Sequence, residues 1–281
     1  MKQLSILLMM LGLNTAISAQ QQAIHLWPGT VPGEPAAKQM AQVTADGSNN
    51  VKRLTDITDP LLEVFPAPAN NNTGVGVIIC PGGGYNILAI DLEGYEIAKW
   101  LNKLGYTAFV LQYRVPKKEV GALQDAQRAI RIVRSRAAEW GVQPDKIGLM
   151  GFSAGGSLTA RAATGHNVNA YTPFDKADSL SARPAFGILI YPAYLDKGEN
   201  RTLTPELKPD TQTPPMFLFA TSDDSYGNSA LVMAGALRDA KATVELHFYA
   251  KGGHGYGLRP GNPAADAWPG LLEKWLKTTV K

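Results

Sequence analysis

Six continuous apolar runs constrain this chain more than any other feature. They cover 75–80, 107–113, 146–151, 184–191, 215–220 and 243–249. They read as apolar runs rather than strict in/out alternations, so each is expected to be a strand covered on both faces. The intervening segments 93–104, 120–140, 154–164 and 228–240 read as helices, and 264–280 adds a last one. Strands alternating with helices predict an α/β fold: a doubly wound, mostly parallel sheet with helices on both faces. Ahead of this rhythm, 51–57 and 61–65 read as short strands, and 24–50 as an aperiodic surface wrap. Ligands in such sheets bind beyond the carboxyl ends of the strands. That rule directs attention to the residues after Cys80, Gly151, Tyr191, Ala220 and Tyr249.

Composition removes several function classes. The 27 basic and 24 acidic residues are interspersed, so the clustered basic face of a nucleic-acid binder is missing. A single cysteine, Cys80, excludes an intramolecular disulfide and a multi-cysteine zinc site. Neither H-E-x-x-H nor a cluster of ligands at metal spacing occurs, so no metal is expected. G-x-G-x-x-G from Gly82 fails because Ile87 stands where glycine is required, which removes the dinucleotide reading. The helix over 120–140 carries Arg128, Arg131, Arg134 and Arg136, read as a solvated face with salt bridges; Asp125 and Arg128 are expected to pair.

Residues 1–19 read as a secretory signal peptide. Met1-Lys2 is a short basic start, an apolar run follows from Leu4 to Ile17, and Ser18-Ala19 offers a cleavage site. The run is too short for a membrane span, and no other segment is long enough for one. These observations predict a protein outside the cytoplasm, secreted or periplasmic, with one domain over 20–281. The sequence carries no signal of oligomeric state.

Gly151-Phe152-Ser153-Ala154-Gly155 matches G-x-S-x-G between an apolar strand and a small-residue helix. A serine there sits on a sharp strand-to-helix turn that lifts its hydroxyl above the sheet. A serine hydroxyl needs a base to take its proton and an acid to orient that base. In this arrangement the chain order is serine, acid, histidine. Of four histidines, His25 and His166 have the wrong order, and His247 lies inside a strand. His254 sits in a glycine-flanked loop just past that strand, where it can reach Ser153. The acid should follow the strand over 215–220, where Asp223 and Asp224 are adjacent and either could serve. Pro81-Gly82-Gly83-Gly84-Tyr85 exposes backbone N–H groups suited to an oxyanion. The donors are expected to be Gly83, Gly84 and Ala154, the residue after the serine.

These motifs, with Leu26-Trp27-Pro28-Gly29, Tyr113-Arg114-Val115-Pro116, Asp125-Ala126-Gln127-Arg128 and Gly252-Gly253-His254-Gly255-Tyr256-Gly257, resemble the bifunctional feruloyl and acetyl-xylan esterase-like family of α/β-hydrolase carbohydrate esterases. The resemblance runs from about residue 26 to 275. It implies a cofactor-free serine esterase removing acetyl or feruloyl groups from plant polysaccharides. It also implies that the acid is the second aspartate, Asp224. Ser157 stands where family members often carry histidine, and Ser225-Tyr226-Gly227 replaces a longer stretch. A serine peptidase, a lipase or a non-catalytic carbohydrate binder would use the same fold.

Overall fold

A computed structural model describes residues 22–280. The signal-peptide expectation over 1–19 falls outside the described residues. Eleven strands and five α-helices are assigned within them: β1 Gln22–His25, β2 Gln42–Val43, β3 Arg53–Thr55, β4 Leu61–Phe65, β5 Gly76–Cys80, β6 Leu88–Ala89, α1 Glu96–Lys103, β7 Thr107–Gln112, α2 Glu119–Ser135, β8 Ile147–Phe152, α3 Ala154–Thr164, β9 Gly187–Ile190, β10 Met216–Thr221, α4 Asn228–Asp239, β11 Val244–Tyr249 and α5 Pro263–Thr279. The main sheet has the order β1-β4-β7-β5-β8-β9-β10-β11. β7 to β11 pair in parallel through β5, and β1 and β4 close one edge antiparallel. β2, β3 and β6 form a small separate sheet.

Five of the six apolar runs have a direct structural cause; the sixth, β11, is instead an edge strand with no buried residue, its run interrupted by Glu245 and His247. Every residue of β5, β7, β8, β9 and β10 is buried. Within β10, Phe217 and Phe219 pack in the cluster holding Trp268, Leu272 and Trp275 of α5. Met216, Leu218 and Ala220 pack in the cluster holding Met233 and Leu237 of α4. Successive side chains point to opposite faces, so α4 and α5 cover opposite faces, the expected doubly wound arrangement. Among the described residues no helix is long and apolar enough to cross a membrane.

Three expectations need correction. The wrap over 24–50 begins as a strand, β1, paired antiparallel with β4. The helix expected over 93–104 starts with a wider π turn, Asp91–Tyr95, before α1. The arginine reading holds at Arg136, which pairs with Glu139 on the surface, and fails at Arg128 and Arg131. Asp125 does not pair with Arg128: its carboxylate accepts from Arg114 Nε at 2.9 Å, Arg114 N–H at 3.0 Å and Trp27 Nε1 at 2.9 Å. Arg128 instead pairs with Asp175 and Asp178, and Arg128 and Arg131 are buried. Two residues one turn apart on a helix share a face, but here that face is roofed by separate segments that supply their own partners.

The Asp125–Arg114 pair pins the start of α2 to the end of β7. Burial pushes the Asp125 carboxyl up, against the pull of the Arg114 guanidinium. Removing one member of a buried pair strands the other charge. Asp125→Ala is expected to lower unfolding stability by about 3–5 kcal/mol in a denaturant titration. A loss under about 1 kcal/mol, the scale of exposed pairs, would contradict this role.

Cys80 ends β5 and is fully buried; burial pushes its thiol up to about 12, partly offset by the Thr159 hydroxyl. Only the thiolate reacts readily. The folded protein is therefore expected to resist an aromatic disulfide reagent at mildly alkaline pH, with one thiol appearing on denaturation. Rapid labelling of the native chain would show that β5 opens.

Candidate active site

Closely packed backbone surrounds Ser153. Ser153 has φ 51° and ψ −117°, a conformation L-residues avoid. Neighbouring backbone holds it there: its N–H donates to Ile190 O at 3.2 Å, and its carbonyl accepts from Ala193 N–H at 3.0 Å and Ser157 N–H at 3.2 Å. A Cβ at Gly155 would lie 1.9 Å from Cys80 O, and one at Gly82 would lie 2.8 Å from the Ser153 Cβ. Glycine at both positions lets α3 and the Gly82–Gly84 turn close on the serine from two sides.

The hydroxyl of Ser153 lies 2.7 Å from His254 Nε2. The other ring nitrogen, Nδ1, lies 2.7 Å from Asp224 Oδ2. With the proton on Nδ1, the imidazole donates to Asp224 and accepts from Ser153. The Asp224 carboxylate is buried, and its second oxygen accepts the Tyr226 N–H at 2.8 Å. Tyr191 and Tyr226 flank the imidazole, with ring centroids 5.1 Å and 4.9 Å away.

Asp223 points elsewhere. Its carboxylate accepts the N–H groups of Gly253 at 2.8 Å and Gly252 at 3.2 Å. The Gly253 N–H is the main cause holding its carboxyl below the usual range. The two aspartates therefore divide the work locally: Asp224 contacts the ring of His254, and Asp223 tethers the loop carrying it. Thr221 and Asn262 add hydrogen bonds to the carbonyls of Gly253 and Gly252.

Above Ser153 opens a cleft of about 650 Å³, lined by Gly83, Gly84, Tyr194, Tyr226 and Arg259 among others. The N–H groups of Gly83 and Gly84 donate to no acceptor among the described residues. Ala154 opens α3 behind the serine, so its N–H belongs to a first turn without intrahelical acceptors. His247 is not at the cleft: it pairs with Glu245 at 2.8 Å on β11 and rests on Phe217. His25 pairs with Asp59 at 2.8 Å, and His166 also lies outside the cleft lining. Among the described residues, no group of three or more His, Cys, Asp or Glu side chains could hold a metal ion.

The sequence reading gave the cleft-wall residues Asn49, Arg53, Tyr194 and Arg259 no role, and it also missed a buried acid. Glu93 is buried and lines the cleft beside Ser153 and His254. An acidic residue at the start of a helix ordinarily complements the helix dipole, so nothing in its position marked it as buried.

A BD-FAE family model matches residues 62–185. The acetylxylan esterase of Xylanibacter ruminicola is 31% identical over 234 residues, covering 74% of this chain and 46% of that protein. The endo-1,4-beta-xylanase B of Butyrivibrio fibrisolvens is 29% identical over 205 residues, covering 64% of this chain and 32% of that protein. The chain thus spans about half or less of the length of these curated relatives. Among solved structures, an acetyl ester-xyloside bifunctional hydrolase from Caldicellulosiruptor lactoaceticus superposes with a TM-score of 0.76 at 30% identity, covering 94% of this chain and 98% of that one. By sequence and by fold, the chain belongs to the acetyl-xylan esterase-like family of α/β hydrolases.

Proposed function

We propose that this protein is a secreted serine carboxylesterase that deacetylates plant polysaccharides such as xylan, or removes feruloyl groups from them. The observation that carries the reading is the Ser153–His254–Asp224 hydrogen-bond chain opening on a cleft, with both contacts at 2.7 Å. In this reading Ser153 Oγ attacks the ester carbonyl carbon as His254 Nε2 takes its proton. Asp224 holds the Nδ1–H tautomer and stabilises the imidazolium. The carbonyl oxygen becomes an oxyanion facing the N–H groups of Gly83, Gly84 and Ala154. His254 then protonates the departing sugar oxygen, leaving an acyl-serine. Water, deprotonated by the same imidazole, attacks the acyl carbon and releases the carboxylic acid and Ser153. The cycle uses no cofactor.

The names of the relatives support an acylated carbohydrate as substrate. The cleft wall supports it too: Asn49, Arg53, Tyr194, Tyr226 and Arg259 suit a hydroxyl-rich alcohol better than a long acyl chain. Residues 1–19 act in this reading as the export signal, and 20–281 as one hydrolase domain. The test is a panel of acetylated xylan, methyl ferulate, short- and long-chain p-nitrophenyl esters, and peptides. Acetylated xylan and short esters are expected to give the highest kcat/KM. A preference for long acyl chains would make the protein a lipase, and peptide cleavage a peptidase.

A further inference from the structure

We propose that Glu93 is a positioning residue that locks the Gly82–Gly84 turn to the loop carrying His254 and so holds the oxyanion donors in place during attack. The inference rests on the acyl-transfer reading above.

Glu93 is 3% exposed, and no basic side chain pairs with it among the described residues. Its Oε2 accepts the Gly82 N–H at 2.7 Å. Its Oε1 accepts the Tyr191 hydroxyl at 2.9 Å. That hydroxyl accepts the Gly257 N–H at 3.0 Å, and the Gly257 carbonyl accepts Trp268 Nε1 at 2.9 Å. One carboxyl thus joins the turn after β5, the residue after β9 and the loop three residues past His254.

Burying a carboxyl without a cation is costly. Burial pushes Glu93 up, opposed first by the Tyr191 and Gly82 hydrogen bonds and then by His254. A glutamine would offer one acceptor oxygen and turn its NH2 toward the other donor, so satisfying both the Gly82 N–H and the Tyr191 hydroxyl takes the two oxygens of a carboxyl. The location supplies a reason. Fixing the Gly82 N–H fixes the Pro81–Gly82 peptide at the head of the turn whose Gly83 and Gly84 line the cleft, so the turn need not reorganise as the oxyanion forms. The groups facing the His254 ring are Asp224, Ser153 and the aromatic rings of Tyr191 and Tyr226. Arg259, farther along the cleft lining, is neutralised by Glu96 at 2.8 Å.

Glu93→Gln keeps the volume and one acceptor but removes the charge, and Tyr191→Phe breaks the bridge to Gly257. Two readouts are taken on p-nitrophenyl acetate: kcat and KM, and inhibition by a trifluoromethyl ketone, whose serine adduct places an oxyanion in the turn. For E93Q we expect kcat to fall about 10²-fold, the scale of losing one oxyanion donor, with KM within about threefold. Ketone affinity should fall in parallel with kcat. Y191F should lower kcat and ketone affinity in the same direction. An E93Q protein with reduced melting temperature but wild-type kcat and ketone affinity would overturn the inference, leaving Glu93 a structural residue. Wild-type protein that hydrolyses no ester would overturn the acyl-transfer reading and this inference with it.

Discussion

Replacing Ser153 by alanine is expected to lower kcat on a short acetyl ester by about 10⁴–10⁶-fold, the range seen when a triad nucleophile is removed. The expectation follows from the number of things the hydroxyl does. Among the described residues it alone hydrogen-bonds His254 Nε2, and the other hydroxyls lining the cleft are the phenols of Tyr194, Tyr226 and Tyr256. Cys80 ends the neighbouring strand but is buried with its thiol pushed up to about 12, so it cannot substitute. The fold should survive. The strained backbone at position 153 is held by main-chain hydrogen bonds, which alanine retains. Melting temperature is expected to stay within a few degrees of wild type. A folded Ser153→Ala protein with activity within about tenfold of wild type would remove Ser153 from the mechanism.

The second large effect separates the paired aspartates. Asp224→Asn should cost about 10⁴-fold in kcat, because an amide facing Nδ1 favours the wrong tautomer and no longer stabilises the imidazolium. Asp223→Asn should cost about tenfold or less, since its contacts are with the N–H groups of Gly252 and Gly253 and asparagine keeps one acceptor. The signature of Asp223 should be loop order: hydrogen exchange over the segment holding His254 should rise in Asp223→Asn. The opposite ranking of the two variants would exchange their roles.

The parallel core was legible because burial on both faces leaves an unbroken apolar run in the sequence, as in β5 and β10. The elbow was legible for a steric reason: the glycines at 151 and 155 are required by backbone contacts near 2 Å that no side chain could tolerate. Where partners come from distant segments, the sequence was silent. Nothing local to α2 says that Arg128 meets Asp175 and Asp178, 47 and 50 residues away, so its face read as solvated. β1 is four residues long, three of them exposed, and carries no period to detect. Glu93 is the functional counterpart of these cases. Its partners Gly82 and Tyr191 lie 11 and 98 residues away. An acid at a helix start looks ordinary until the fold buries it. Asp223 and Asp224 are adjacent, and only the turn after β10 sends one to the ring and the other to the loop.

The most direct test of the account is to ask which atom becomes covalently bound. The protein is treated with an organophosphate that phosphorylates activated serines, sampled over time for residual esterase activity, and mapped by peptide mass spectrometry. The account predicts one phosphoryl group per chain, on the tryptic peptide spanning residues 147–161 at Ser153, appearing in step with the loss of activity. It also predicts no label in His254→Ala, whose serine lacks its base. Complete inactivation with the label on any other residue, or hydrolysis of acetylated xylan by protein fully labelled at Ser153, would contradict it.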